Sequence, residues 1–390
     1  MTKLRAGALS RLPSLTGMRF LAAFLVFACH ACLLGYFTEA TAAHFTNFAF
    51  SAGWIGVEFF FLLSGFVLTW SARDGEPKRR FWRRRLFKIY PNYLVVWVAA
   101  LVLAVLVGQF DGFSNLWPSL FVVHTWSPDI NVIVSNNPVT WSLACEAFFY
   151  LAFPFLYRLI KRIPANGLWV AVGVVTAAIV ALPAISTLLP AAEAMPGMDF
   201  SVTQNWFLEW FPPARCLDFI LGILMARVVQ TNRWIGLGIA PALGIVAVGV
   251  FVQQLVFPTG YALEATVALP LALLITAVAV ADASGRRSPF RARWLVWLGG
   301  VSYAFFLVHF LALNYGHVLL GAEQTWPLPA ALGVLAGVLA AGITVAWLLT
   351  RLVEEPMMRR WARPRSRPFI PEQAVVTAEE PSVSVPESIN

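Results

Sequence analysis

The sequence predicts an all-α fold: a polytopic membrane helix bundle of about ten transmembrane helices with both termini cytosolic. Three observations predict it. The chain is 59% hydrophobic and only 12% charged over 390 residues, about half the charge of an average soluble domain. Apolar runs of about 20 residues, enough to cross a hydrocarbon core, recur along it. All but one of its 28 lysines and arginines, Arg215 being the exception, fall on one side of a ten-span arrangement.

The spans are expected at 17–37, 50–70, 91–108, 138–160, 168–190, 207–229, 234–257, 261–281, 294–316 and 328–353. The first is too long for a cleaved signal segment and carries His30 in its interior, with no A-x-A site before the second. The shorter apolar run 114–126 predicts a re-entrant or interfacial piece. Basic residues cluster up to Arg19, in 73–88, in 158–162, at Arg227 and Arg233, in 286–293 and from Arg351 to Arg367. That alternation sets the orientation and accounts for the net charge of +8, which excludes nucleic acid as the partner. Three regions follow: a cytosolic arm 1–12, a membrane domain 13–358, and a tail 359–390 rich in Pro, Ser and Glu that is expected to be disordered. The four cysteines (Cys29, Cys32, Cys145, Cys216) lie in apolar segments as small packing residues; the C-x-x-C pair around His30 lacks a second ligand cluster, so no metal is expected.

Ionisable residues inside hydrocarbon mark function. Arg19 and His30 are eleven positions apart, which on a helix puts them about 20° apart in direction and ~16 Å along the axis. Glu58, Glu146, Arg215, Asp218 and His309 fall at a depth similar to that of His30, ~10–16 Å from the outer surface, although their helices run in both directions. That coincidence predicts a shared polar cavity with His30 at its centre. Arg215 is expected to pair Asp218 on the next turn. In KRRFWRRRLFKIYPNY, Arg85 and Lys88 share a helix face just before Pro91, either as part of a topogenic anchor or as a site for a polyanion.

With these residues in view, the chain resembles the acyltransferase-3 family of integral membrane O-acyltransferases. SLTGMRFLAAFLVFACH resembles an opening R-x10-H signature, GVEFFFLLSGFVLT an FF-x-x-SGF motif, and RRRLFKIYP an R-x-x-R-x-x-P element. TWSLACEAFFYLAFP is similar to a WSL-x-x-E-x-x-FY segment, VSYAFFLVHF to an S-Y-x-x-x-L-x-H segment, and LVEEPMMRR to a closing E-x-P motif. Lys88 departs from the pattern: it stands where the second arginine of R-x-x-R is expected, and gives up the bidentate fork.

The resemblance implies transfer of a short acyl group, acetyl or propionyl in type, from cytosolic acyl-CoA to a hydroxyl, with no bound cofactor. The acceptor would be a sugar, a glycan or a macrolide-type antibiotic, and the setting a bacterial cell membrane. On this basis His30 is the expected catalytic base, with Glu146 or Glu58 orienting its imidazole. Arg19, Arg85, Lys88, Ser142, Tyr303, His309 and Glu354 are expected around the substrates. Ser64, Ser142 and Cys145 are the alternative nucleophiles if an acyl-enzyme forms. Glu354 either orients basic side chains toward the donor or ends a helix before Pro356. The competing class is a transporter or flippase with an intramembrane proton relay, against which stands the lack of an internal repeat.

Overall fold

A computed structural model describes residues 12–73, 75–110, 112–191, 193–194, 201–256 and 265–362. Among them lie ten main helices: α1 Pro13–Leu33, α2 Glu39–Trp70, α3 Lys78–Leu106, α4 Trp141–Ile160, α5 Leu168–Ser186, α6 Pro212–Gln230, α7 Ile239–Val256, α8 Ala268–Ala283, α9 Arg293–Gly321 and α10 Leu328–Leu349. They match the expected spans in order. Seven are long and apolar enough to cross a membrane, and α7 and α8 contribute shorter apolar helices. The remaining one, α6, carries Arg215, Asp218 and Arg227, and its Leu221, Ile223, Met225, Ala226 and Val228 are fully buried. A helix enclosed on all sides meets protein rather than lipid, so charge inside it is shielded by its neighbours.

Helix ends differ from the expected spans for local reasons. The basic stretch from Lys78 is not a loop but the first turns of α3, which continues through Pro91. Span six is preceded by a separate π-helical turn, Trp206–Trp210, and opens at Pro212, where a proline costs no hydrogen bond. The run 114–126 forms two short helical turns docked on α3, with the Tyr90 hydroxyl donating to Leu120 O (3.1 Å), Tyr93 to Ser119 O, and Trp97 Nε1 to Ser119 Oγ (2.9 Å). The described residues end in a π-helical turn, Met358–Ala362; the arm 1–11 and the tail from 363, with the disorder expected there, lie outside the described residues.

Two sets of contacts define the ends of the bundle. At the basic end, Ser14 N and Oγ donate to Asp282 (2.8 and 2.7 Å), so a carboxylate from α8 satisfies and neutralises the amino end of α1. There too, Gln230 Nε2 donates to Thr69 O (3.1 Å) and Trp169 Nε1 to Arg233 O (3.0 Å). At the opposite end Trp326 N donates to Tyr36 O (3.1 Å) and Trp206 Nε1 to Thr125 O (2.9 Å). The α2–α6 crossing is made by paired glycines. A Cβ on Gly65 would lie 2.0 Å from Phe219 O, and one on Gly222 would lie 2.0 Å from Leu62 O, so neither position admits a side chain.

Candidate active site

α1 and α9 pack along their length, and each brings a histidine to the contact. His309 Nε2 lies 3.2 Å from His30 Nδ1, with the rings 5.1 Å apart. His309 Nδ1 lies 2.7 Å from Phe306 O, and His30 Nδ1 lies 2.9 Å from Val26 O. Carbonyls only accept, so both Nδ1 atoms carry the proton, and the single His30 Nδ1–H is shared between Val26 O and His309 Nε2. His309 donates to Phe306 O, its Nε2 accepts from His30 Nδ1–H, and His30 Nε2 is left with its lone pair. That is the state a general base needs.

Beside the pair is a cavity of about 110 Å³ lined by Arg19, Arg85, Lys88, Ser142, Glu146, Tyr150, Tyr303 and Phe306, among others. Within it Tyr150 donates to Glu146 Oε2 (3.1 Å), Ser64 Oγ donates to Tyr150 (3.4 Å), and Glu146 feels the charges of Arg19 and Arg85. The Tyr303 hydroxyl donates to Ile89 O (2.9 Å), and Ser142 Oγ to Val139 O (3.1 Å). Arg19, Arg85, Lys88, Ser142, Glu146 and Tyr303 are thus brought together as expected, while His30 and His309 meet the cavity through Phe306, whose ring is 5.5 Å from that of His309.

Glu354 joins the cavity through Lys88, one of its lining residues. It accepts from Lys88 Nζ and, at 3.1 Å, from Asn92 Nδ2. Of the two readings of Glu354, the geometry is that of a carboxylate orienting a basic side chain. Next to it opens a larger chamber of about 740 Å³ at the basic end. Arg73, Lys78, Arg84, Arg85, Arg158, Lys161 and Arg162 line it, and among the described residues Glu76 is the one carboxylate in its lining. Glu76 is held by Arg84 at 2.7 Å. Arg85 lines both the chamber and the central cavity.

Glu58 is placed elsewhere. Neither of its oxygens has a hydrogen-bond partner, and the charges it feels are those of Asp218, Arg215 and Glu209. Arg215 pairs Asp218 at 3.2 Å with both side chains almost fully buried, as the helical spacing predicts. The single polar cavity expected from depth is therefore two groups. Orientation of His30 is also reassigned, because Glu146 accepts from Tyr150 and His309 occupies the imidazole's Nδ1 side. Sequence reasoning missed Glu209, Tyr150 and Asn92. Tyr150 had a signal, being four residues from Glu146 on one helix face; Asn92 had none. Among the described residues no group of three or more His, Cys, Asp and Glu is arranged to hold a metal. Cys29 instead packs on Gly53, whose Cβ would meet its sulfur at 2.7 Å.

A histidine pair beside a polar cavity that shares Arg85 with a cationic chamber, in a bundle of apolar helices, is the arrangement of a membrane enzyme of group transfer. Residues 12–351 match the profile of the acyltransferase domain family, and the chain belongs to that family. It is 40% identical to the acyltransferase MdmB of Streptomyces mycarofaciens over 96% of this chain and 98% of that one. It is 25% identical to the peptidoglycan O-acetyltransferase OatA of Listeria monocytogenes, over 89% of this chain and 56% of that one. It is 27% identical to the exopolysaccharide production protein ExoZ of Rhizobium meliloti, over 84% and 95% respectively. No solved structure matches. The chain is thus a multi-pass membrane O-acyltransferase, and the transporter alternative falls away.

Proposed function

We propose that the protein transfers a short acyl group from acyl-CoA to the hydroxyl of a small, macrolide-type acceptor at a bacterial plasma membrane. The observation that carries the reading is the junction at Arg85, which lines both a chamber of seven basic side chains and the cavity beside the histidine pair. A multiply anionic donor suits the chamber, since charge-assisted bonds to phosphate are among the strongest a protein makes. The basic end is then cytosolic, where the donor resides. The thioester arm extends past Arg85 toward Phe306 and His30. Lys88, tied to Glu354, holds the cavity wall and leaves the phosphates to the chamber.

The chemistry follows from the proton pattern. His30 Nε2 takes the proton of the acceptor hydroxyl as its oxygen bonds to the thioester carbonyl carbon. The tetrahedral adduct collapses with cleavage of the C–S bond, and the imidazolium returns the proton to the departing thiolate. His309 receives the Nδ1–H hydrogen bond throughout and keeps the ring oriented. Ser64 and Ser142 each donate to a protein oxygen acceptor, and Cys145 is fully buried, so direct transfer fits better than an acyl-enzyme. The 40% identity to the streptomycete acyltransferase, against 25% and 27% to the peptidoglycan and exopolysaccharide relatives, favours a small acceptor over a glycan.

The test uses purified protein with acetyl-CoA and a panel of macrolides and hexosides, following free CoA and acylated product together. Stoichiometric release of both by the wild type, abolished in His30→Ala, supports the reading. Full turnover in His30→Ala removes the assigned base, and acylation with a non-CoA donor alone removes the assigned donor.

A further inference from the structure

The bundle has a third cavity, which the transfer chemistry does not use. It is a groove of about 380 Å³ between α3 and α4, roofed by the docked segment 117–126. Its walls include Leu86, Tyr90, Phe121, Ala147 and Leu151, and three of these are open to the surroundings: Leu86 is 54% exposed, Phe121 62% and Leu151 60%. In a membrane helix bundle such a mouth faces lipid. At its floor are Arg85, Ile89, Leu143 and Tyr150, and the same four residues line the central cavity.

We propose that this groove is the binding site and membrane portal for the acyl acceptor, and that the acceptor is a largely apolar molecule bearing a hydroxyl. The proposal rests on the acyltransferase reading above. A molecule of this kind concentrates in the bilayer, and the groove's volume lies in the range of pockets for drug-sized ligands. A glycan would have to shed its hydration against aromatic and aliphatic walls, at a cost of several kcal/mol for hydroxyls left unbonded. A lipid tail could line the walls but would make no use of the polar floor. There the Tyr150 hydroxyl reaches Glu146, and Arg85 keeps a buried Nε without a hydrogen-bond partner. Donor and acceptor then approach Arg85 from separate sides, the first through the basic chamber and the second through the groove. Neither path crosses the other, and both end in the cavity beside the histidine pair.

The experiment uses the full chain in lipid nanodiscs and the variant Ala147→Trp, since Ala147 lines the groove and not the central cavity. Val345→Trp, on a lipid-exposed position of α10, controls for added bulk. The first arm photolabels with a trifluoromethyl-diazirinyl benzyl alcohol and maps the adducts by mass spectrometry. The second measures transfer from acetyl-CoA to erythromycin, as the apolar polyol, and to maltose. The expected result is labelling at Leu86, Phe121 and Leu151 that erythromycin displaces and Ala147→Trp removes. Its companion is an erythromycin KM raised at least about tenfold, equivalent to about 1.4 kcal/mol, at unchanged KM for acetyl-CoA. Equal labelling in both variants, displacement by added phospholipid but not by erythromycin, or preferred acylation of maltose would each overturn the proposal. Absence of transfer to any acceptor in the wild type would count against the acyltransferase reading, while the labelling arm still decides the groove.

Discussion

The His30–His309 pair and the Glu58–Glu209–Arg215–Asp218 cluster both bury ionisable groups among apolar helices, yet they are built in opposite ways. In the first, the ring nitrogens that are hydrogen-bonded fit one proton pattern, and Phe306 connects the pair to a cavity that opens toward two others. In the second, Glu58 and Glu209 are fully buried with no hydrogen bond to any carboxylate oxygen, and Arg215 is gripped by Asp218. Depth in the membrane does not separate the two. What separates them is an organised lone pair beside space for a substrate, and that difference teaches how to read intramembrane charge in this fold. On the proposed reading, the cluster on α2, α6 and the turn before α6 holds helices together, and the pair on α1 and α9 does the chemistry.

Five substitutions at four positions would break or sharpen this contrast. The largest effect is expected from His30→Ala, which should lower kcat by roughly 10²–10⁴, the usual contribution of general base catalysis. Turnover within twofold of wild type in a product assay would sink the assignment. Next comes Arg215→Ala, which leaves buried carboxylates uncompensated and should cost about 3–5 kcal/mol of stability. Thermal unfolding in detergent reads this, with kcat per folded molecule unchanged; a loss of kcat at full stability would make the cluster catalytic and erase the contrast. His309→Ala should lower kcat by about 10²-fold through misplacement of the base. His309→Gln should recover part of that, because its amide oxygen can accept from His30 Nδ1–H; equal damage from both changes would point to packing alone. The smallest effect belongs to the chamber, where Arg158→Ala should raise the donor KM about tenfold, the worth of one charge-assisted bond. High salt should shrink the difference between variant and wild type.

Much of this was legible in the chain. Apolar length and the placement of lysine and arginine located ten helices in order, because a bilayer imposes a simple length rule. The rotation between Arg19 and His30, and the spacing of Arg215 and Asp218, followed from helix geometry alone. Partnerships across helices were not legible. His309 lies 279 positions from His30, and Glu354 lies 266 from Lys88; no periodicity within one helix specifies which neighbour it will face. The same blindness merged Glu58 with Glu146, since depth is a one-dimensional coordinate and the two differ in lateral position. Glu209 escaped for another reason. It sits in a π-helical turn before α6, where a regular helical count does not apply.

Phe306 lines the central cavity, lies tilted against His309 at 5.5 Å and meets Phe60 edge-on at 5.8 Å. Its position bears on timing. On the proposed reading, a thioester waiting in the cavity would be shielded from the base by this ring, so water arriving there would find no catalyst to activate it. Only an acceptor able to displace that ring brings hydroxyl, carbonyl and imidazole into one encounter. The enzyme would then spend donor in step with acceptor supply, with little idle hydrolysis between turnovers. Phe306→Ala should uncouple the two, and a rise in CoA release without acceptor is the signature to look for.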